Sequence, residues 1–279
     1  MPVWQQQLLC IKLRQSEVNK MQYTRFIALG DSMTEGMSDE MMNGKYRGWA
    51  DRVADVLAKS NPDFTYMNLA IRGKLLKQVV EDQIPIALKY IEGKQTLVSF
   101  HAGANDVLRP NYKPELSLPQ FERGIKELVD AGATVIIFTV IDKVDGKGRT
   151  AELWHYRFGN FNANVRAVAA KYPVILFDAK GKEFLNDRRF LAFDRLHMNS
   201  EGHKRLANAV LAGLDFPYDS NWQIPLPKVE QKSKLVSFAT TSAWILIFIL
   251  PWIWRRLRGT SSGDGRSAKH FEPIRWPLR

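Results

Sequence analysis

The sequence predicts an α/β protein, a three-layer α/β/α sandwich around a five-stranded parallel sheet. Five short runs rich in β-branched and aromatic residues, at 24–29, 64–69, 96–100, 134–140 and 174–177, are nearly continuous in their apolar character. Strands buried on both faces of a parallel sheet read this way, whereas half-exposed strands alternate. Longer stretches with helical patterning separate and follow them, at 47–59, 74–91, 117–131, 150–171 and 200–213. In the first of these Trp49, Val53, Val56 and Leu57 fall on one face. Strict alternation of such segments implies βαβ units with right-handed crossovers.

The chain has 279 residues, 45% of them hydrophobic, enough for one core of ordinary size. A domain over 23–216 accounts for all five βα segments. Residues 1–22 form a polar arm, and Met21 is a candidate for the true start. Pro217, Pro225 and Pro227 mark a linker over 217–234, followed by an apolar helix over 235–258 and a basic, Gly/Ser-rich tail over 259–279 that is expected to be disordered.

Charge separates these regions. The formal net charge is +11, yet residues 26–227 carry 26 Lys and Arg against 25 Asp and Glu. The excess lies in the tails, so a nucleic-acid partner is not expected, because such enzymes carry their basic surface on the folded body. Solvated termini or attraction to an anionic membrane explain the tails instead. Cys10 stands alone, so no disulfide forms within the chain, and no Cys/His group has zinc spacing. The short run Leu8-Leu9-Cys10-Ile11 is followed at once by charge and does not read as a secretory signal; a cytoplasmic location is expected.

In an open parallel sheet, ligands bind beyond the carboxyl ends of the strands. The loops there read Gly30-Asp31-Ser32-Met33-Thr34-Glu35-Gly36, then Ala70-Ile71-Arg72-Gly73, then His101-Ala102-Gly103-Ala104-Asn105-Asp106. Ser32 is a candidate nucleophile. A hydroxyl needs a base to take its proton and donors for the oxyanion it creates. The backbone N–H groups of Ser32 and Gly73 and the side-chain amide of Asn105 are candidate donors. The base is sought in Asp194-Arg195-Leu196-His197, where an acid three residues before a histidine can orient the ring. His203 competes for that role, and His197 is preferred because only it has this acid.

These blocks resemble the SGNH/GDSL hydrolases. Gly30-Asp31-Ser32 with Glu35-Gly36 is similar to the first block, Gly73 to the second, Gly103-Ala104-Asn105-Asp106 to the third and Asp194-Arg195-Leu196-His197 to the last. The resemblance runs from about 24 to 213, and its first and last blocks look most like the actinobacterial esterase/lipase-like branch. It implies a flavodoxin-like strand order 2-1-3-4-5, an ester substrate and no metal or organic cofactor. It also implies Ser32 as nucleophile, His197 as base, Asp194 as its orienter, and Gly73 and Asn105 as oxyanion donors.

Met33, His101, Asp106 and Trp154 are candidates for contact with substrate, and Asp31 and Asp106 for bracing the loops. His155 and Tyr156, beside Trp154, serve packing equally well. No Gly-x-Ser-x-Gly elbow follows a strand run (the string occurs only in the tail, at 259–263), and no Walker loop or Gly-x-Gly-x-x-Gly appears, which disfavours the α/β-hydrolase fold, a P-loop enzyme and a dinucleotide enzyme. The expected substrate is an acyl or lysophospholipid-like ester. An O-acetylated carbohydrate, or a membrane-tethered binding module without turnover, are the alternatives. A monomer is expected.

The segment 235–254 carries no charge. Twenty residues at about 1.5 Å each just match a hydrocarbon core of about 30 Å. Ser237, Thr240, Thr241, Ser242 and Pro251 weaken a span, and a helix docked on the domain or lying in the interface fits as well.

Overall fold

The computed structural model describes residues 22–141, 148–182, 187–228 and 233–277. The N-terminal arm up to and including Met21 and part of the linker lie outside them. The apolar runs form β1 (Arg25–Gly30), β2 (Thr65–Asn68), β3 (Thr96–His101), β4 (Thr134–Phe138) and β5 (Val174–Phe177). All five pair in parallel in the order β5-β4-β3-β1-β2, the order expected.

Successive strand residues point to opposite faces, so each strand feeds two cores. Ile27, Leu29, Val98, Phe100, Val135 and Ile137 pack on one face, and Phe26, Ala28, Tyr66, Leu97, Ile136 and Phe138 on the other. Helices cover both. They are α1 (Ser32–Glu35), α2 (Gly48–Leu57), α3 (Leu76–Gln78) running through a π turn into α4 (Ile84–Leu88), α5 (Ala104–Val107), α6 (Pro114–Asp130), α7 (Arg149–Lys171) and α8 (Ser200–Gly213). Trp49 of α2 is fully buried between Phe26 and Phe138. Truncating a tryptophan so placed removes roughly 3–5 kcal/mol.

Two corrections concern the far end of the chain. The sheet has six strands, not five, and the 259–279 tail is not disordered throughout. Its residues His270–Arg275 form β6, which pairs antiparallel with β2 and covers that edge. The register shifts between Tyr66 and Asn68, leaving two extra residues on the β6 side, where Pro273 sits. A proline lacks the N–H a ladder needs and is tolerated at an edge or a bulge.

One residue before β6, Lys269 is almost completely buried and ion-paired to Asp51 of α2 at 2.9 Å. Tyr66 donates its hydroxyl to the same carboxylate at 2.7 Å. Burial pushes the Asp51 carboxyl up and the Lys269 ammonium down, each against the attraction of the other. Loss of one partner strands a buried charge, which costs roughly 3–5 kcal/mol.

Between the linker and the tail stand α9 (Lys234–Trp244), a π turn (Ile245–Ile249) and α10 (Leu250–Leu257), one continuous helix. It is long and apolar enough by composition to cross a membrane, over Leu235–Arg255.

Candidate active site

Strand β1 ends at Gly30, whose φ of +147° and whose contact with the neighbouring strand exclude a side chain: a Cβ there would lie 2.3 Å from the carbonyl oxygen of His101. The Gln83 side chain clamps this residue twice, accepting from its N–H and donating to its carbonyl, both at 2.9 Å. The chain then turns into the one-turn helix α1. Asp31 caps it by accepting from the N–H of Met33 at 3.2 Å. Ser32 is the first residue of the turn and is buried.

The last loop brings the other half. Asp194 Oδ1 accepts from the backbone N–H groups of Leu196 and His197, both at 2.9 Å, so the turn holds its own carboxylate. Arg195 takes a positive φ of +59° to close it. Asp194 Oδ2 lies 2.6 Å from His197 Nδ1, and His197 Nε2 lies 2.9 Å from Ser32 Oγ. With Nδ1 donating to the carboxylate, Nε2 is left as the acceptor for the serine hydroxyl. Burial pushes the Asp194 carboxyl up, but its bonds to the His197 ring and to the two N–H groups outweigh that and hold it below its ordinary value. It is thus ionised beside the imidazole at neutral pH.

His203, six residues on, is differently placed. Its Nδ1 accepts from the N–H of Trp49 at 3.2 Å and its Nε2 donates to the carbonyl of Met37 at 3.1 Å. Burial lowers it to about 4, so it is a neutral buried brace with no nitrogen left for a proton transfer.

The opposite side of Ser32 is less closed. Among the described residues the N–H groups of Ser32 and Gly73 have no hydrogen-bond partner. Gly73 has φ +76° and lies in a turn tied to α1 through Arg72, whose N–H and guanidinium both bond to Glu35. Asn105 reaches the site but is occupied: its amide donates to Asp31 Oδ2 at 3.0 Å and to the carbonyl of Lys74 at 3.1 Å. An amide nitrogen has two hydrogens, so both are committed.

The remaining candidates are dispersed. Met33 is half-buried against the core beneath α1. Asp106 accepts from the N–H of Leu76 at 2.8 Å, and burial pushes it up to about 6. His101 ends β3 beside Gly30, lies tilted against the Phe138 ring and is lowered by burial to about 4. Trp154 packs with Phe158 and under Arg157, joining a local cluster on α7 rather than the Ser32 row. Tyr156 is exposed.

Two groups at the site were not foreseen. Gln83 sits in the second helical stretch with nothing in its spacing to mark it. The C-terminal helix also reaches the base loop. Trp244 donates its indole N–H to the carbonyl of Asp194 at 2.9 Å and lies under the Arg195 guanidinium, and Arg195 donates to the Thr241 hydroxyl at 3.1 Å.

A doubly covered, mostly parallel sheet with serine, histidine and aspartate in one hydrogen-bonded row at its carboxyl edge has the arrangement that serine hydrolases use. The sequence profile of the GDSL-like lipase/acylhydrolase family matches residues 28–205; the chain belongs to that family and is an ester-hydrolysing enzyme. Among solved structures it is similar to an acetylxylan esterase from Geobacillus stearothermophilus, at 18% identity and a TM-score of 0.58 over 72% of this chain and 99% of that one. An alpha/beta hydrolase from the metagenome of Lake Arreo, Spain, is similar at 21% identity and a TM-score of 0.55, over 71% and 98%. A member of the lipolytic G-D-S-L family from Veillonella parvula matches at 19% and 0.53, over 67% and 96%. At these identities the likeness is one of fold. None of the curated proteins matches the sequence.

Proposed function

We propose that the protein hydrolyses a carboxylic ester through an acyl-enzyme formed on Ser32. The observation that carries this reading is the unbroken row from Asp194 through His197 to Ser32 Oγ, with separations of 2.6 and 2.9 Å. Ser32 Oγ attacks the ester carbonyl carbon while His197 Nε2 takes its proton. The ring then gives that proton to the departing alcohol as the C–O bond breaks. Water attacks the acyl group in turn, losing a proton to Nε2, and the acid leaves as the proton returns to Ser32 Oγ. Asp194 keeps the ring in the right tautomer and stabilises its charged form without taking the proton.

The oxyanion is held first by the N–H groups of Ser32 and Gly73. The Asn105 amide joins them by giving up one of its two present acceptors. An acyl or lysophospholipid-like ester is the substrate class of this reading. The acetylxylan esterase neighbours supply an O-acetylated carbohydrate as the second. A fluorophosphonate probe tests the chemistry: wild type is expected to label and Ser32→Ala and His197→Ala not to. A wild-type protein that neither labels nor cleaves a p-nitrophenyl ester would sink the proposal.

A further inference from the structure

The C-terminal helix has its polarity reversed for a helix docked on a soluble domain. Its half-buried face carries Thr241, Trp244, Phe248, Trp252 and Arg255, spaced three or four apart. The opposite face carries Leu235, Phe238, Leu246, Leu250, Ile253 and Leu257, from 40% exposed (Ile253) to 77% (Leu235). An apolar stripe of this length turned to water needs a cover.

The cover cannot be a bilayer crossed from side to side. The first half of the helix touches the base loop through Thr241 and Trp244. Four residues after Leu257, the Ser261 hydroxyl bonds to the carbonyl of Gly73 at 3.5 Å. Four residues reach at most about 14 Å even when extended, short of a hydrocarbon core of about 30 Å. Lys269 and β6 then enter the body of the same domain. Both ends of the helix are therefore fastened to one side.

Charge says what the cover is. Residues 228–279 carry ten Lys and Arg against three Asp and Glu. Arg258, stacked on the exposed Trp254, stands at the helix end. A cavity of about 420 Å³ beside Gly73 is lined by Arg72, Lys74, Arg109 and Arg266 against Asp264. The buried Nε of Arg109 has no hydrogen-bond partner among the described residues. Phe193 and Leu196, in the loop that carries Asp194 and His197 and that the helix touches, are exposed as well. Apolar side chains flanked by arginines suit the headgroup boundary of an anionic lipid layer.

We propose that the helix is an in-plane membrane anchor that seats the Ser32 edge of the sheet on an anionic lipid surface, from which the ester is taken. The source of the ester rests on the hydrolase reading above; the anchor does not.

The test is co-sedimentation of the full chain with phosphatidylcholine vesicles containing phosphatidylglycerol, and with phosphatidylcholine alone. Wild type is expected to pellet with the anionic vesicles. Phe238→Ser/Leu246→Ser/Ile253→Ser is expected to lower the bound-to-free ratio at least tenfold, and to lower cleavage of vesicle-embedded p-nitrophenyl palmitate equally. Soluble p-nitrophenyl acetate is cleaved as before. In a Cys10→Ser background, Tyr218→Cys and Glu272→Cys variants should both react with an impermeant maleimide added outside the vesicles.

Wild type left in the supernatant, or a solution dimer that the triple variant dissociates without vesicle binding, overturns the anchor. Protection of the Glu272→Cys variant alone would mean a span and overturns it too. Fluorophosphonate labelling of the same samples separates the two readings. Labelled protein that ignores vesicles sinks only the anchor, and unlabelled protein that pellets sinks only the ester chemistry.

Discussion

The two sides of Ser32 differ in how far they are assembled. On the base side every polar atom has its partner: Asp194 is held by two backbone N–H groups and the ring by Asp194 and Ser32. On the oxyanion side the donors are either open, as at Ser32 and Gly73, or engaged elsewhere, as at Asn105. The proton transfer proposed above thus has a preformed path. On the proposed mechanism, charge stabilisation requires one hydrogen bond of Asn105 to be exchanged as the negative oxygen develops. A site arranged this way should be most sensitive to loss of the base side and more graded on the other.

The largest effect is expected from Ser32→Ala, which should lower kcat by about 10⁴–10⁶-fold with the fold intact, read by initial rates and circular dichroism. Asp194→Asn comes next. It keeps the two backbone bonds but offers an N–H where the ring needs an acceptor, so the wrong tautomer results and kcat should fall about 10³–10⁴-fold. If its loss were below tenfold, the base side would not be the locked half.

Asn105→Ala probes the exchange. A donor that joins the oxyanion only in the transition state is worth about 10²–10³ in kcat with KM little changed. A lower melting temperature at unchanged kcat would make Asn105 a brace of Asp31 and Lys74 alone. Gly73→Ala should have a smaller effect on kcat, about tenfold. Its φ of +76° costs a side chain roughly 1–2 kcal/mol, and its Cβ would meet the Ser261 hydroxyl at 2.2 Å. Adding Ser261→Gly relieves the contact but not the φ, and full recovery in that double variant would assign the loss to the tail.

The smallest expected effect on activity is that of Asp31→Asn, whose signature is instead a pH-dependent stability. Burial pushes Asp31 from 3.8 up to about 6. A carboxyl raised in the folded state favours folding below its unfolded value and loses that contribution as pH climbs through about 6. The swing is on the order of 2–3 kcal/mol. Asparagine does not titrate, so the melting temperature of the variant relative to wild type should rise between pH 4 and pH 7. A difference that stays flat over that range would place the carboxyl in water.

The five parallel strands were legible because burial on both faces demands unbroken apolar runs. β6 was not, because His270-Phe271-Glu272-Pro273-Ile274-Arg275 is an edge with a bulge and shows neither alternation nor continuity. Ser32, His197 and Asp194 were legible because each sits at the end of a strand or in the final loop within a short patterned block. Gln83 and Lys269 were not: each acts through a partner that sequence does not bring near, Gly30 in one case and Asp51 in the other. The tie of Asn105 to Asp31 was hidden for the same reason, since the residue type marks a donor but not its present acceptor.

The pairing of Lys269 with Asp51 joins positions 218 apart in the chain. During synthesis, β2 and the buried Asp51 emerge long before their partners exist. Until residue 275 has left the ribosome, the sheet has an open edge at β2, which is prone to pairing with another chain, and the buried Asp51 lacks its cation. Contacts of such high order also slow folding. The nascent protein should therefore depend on a holding chaperone until β6 has been made, and truncations before β6 should be recovered as aggregates.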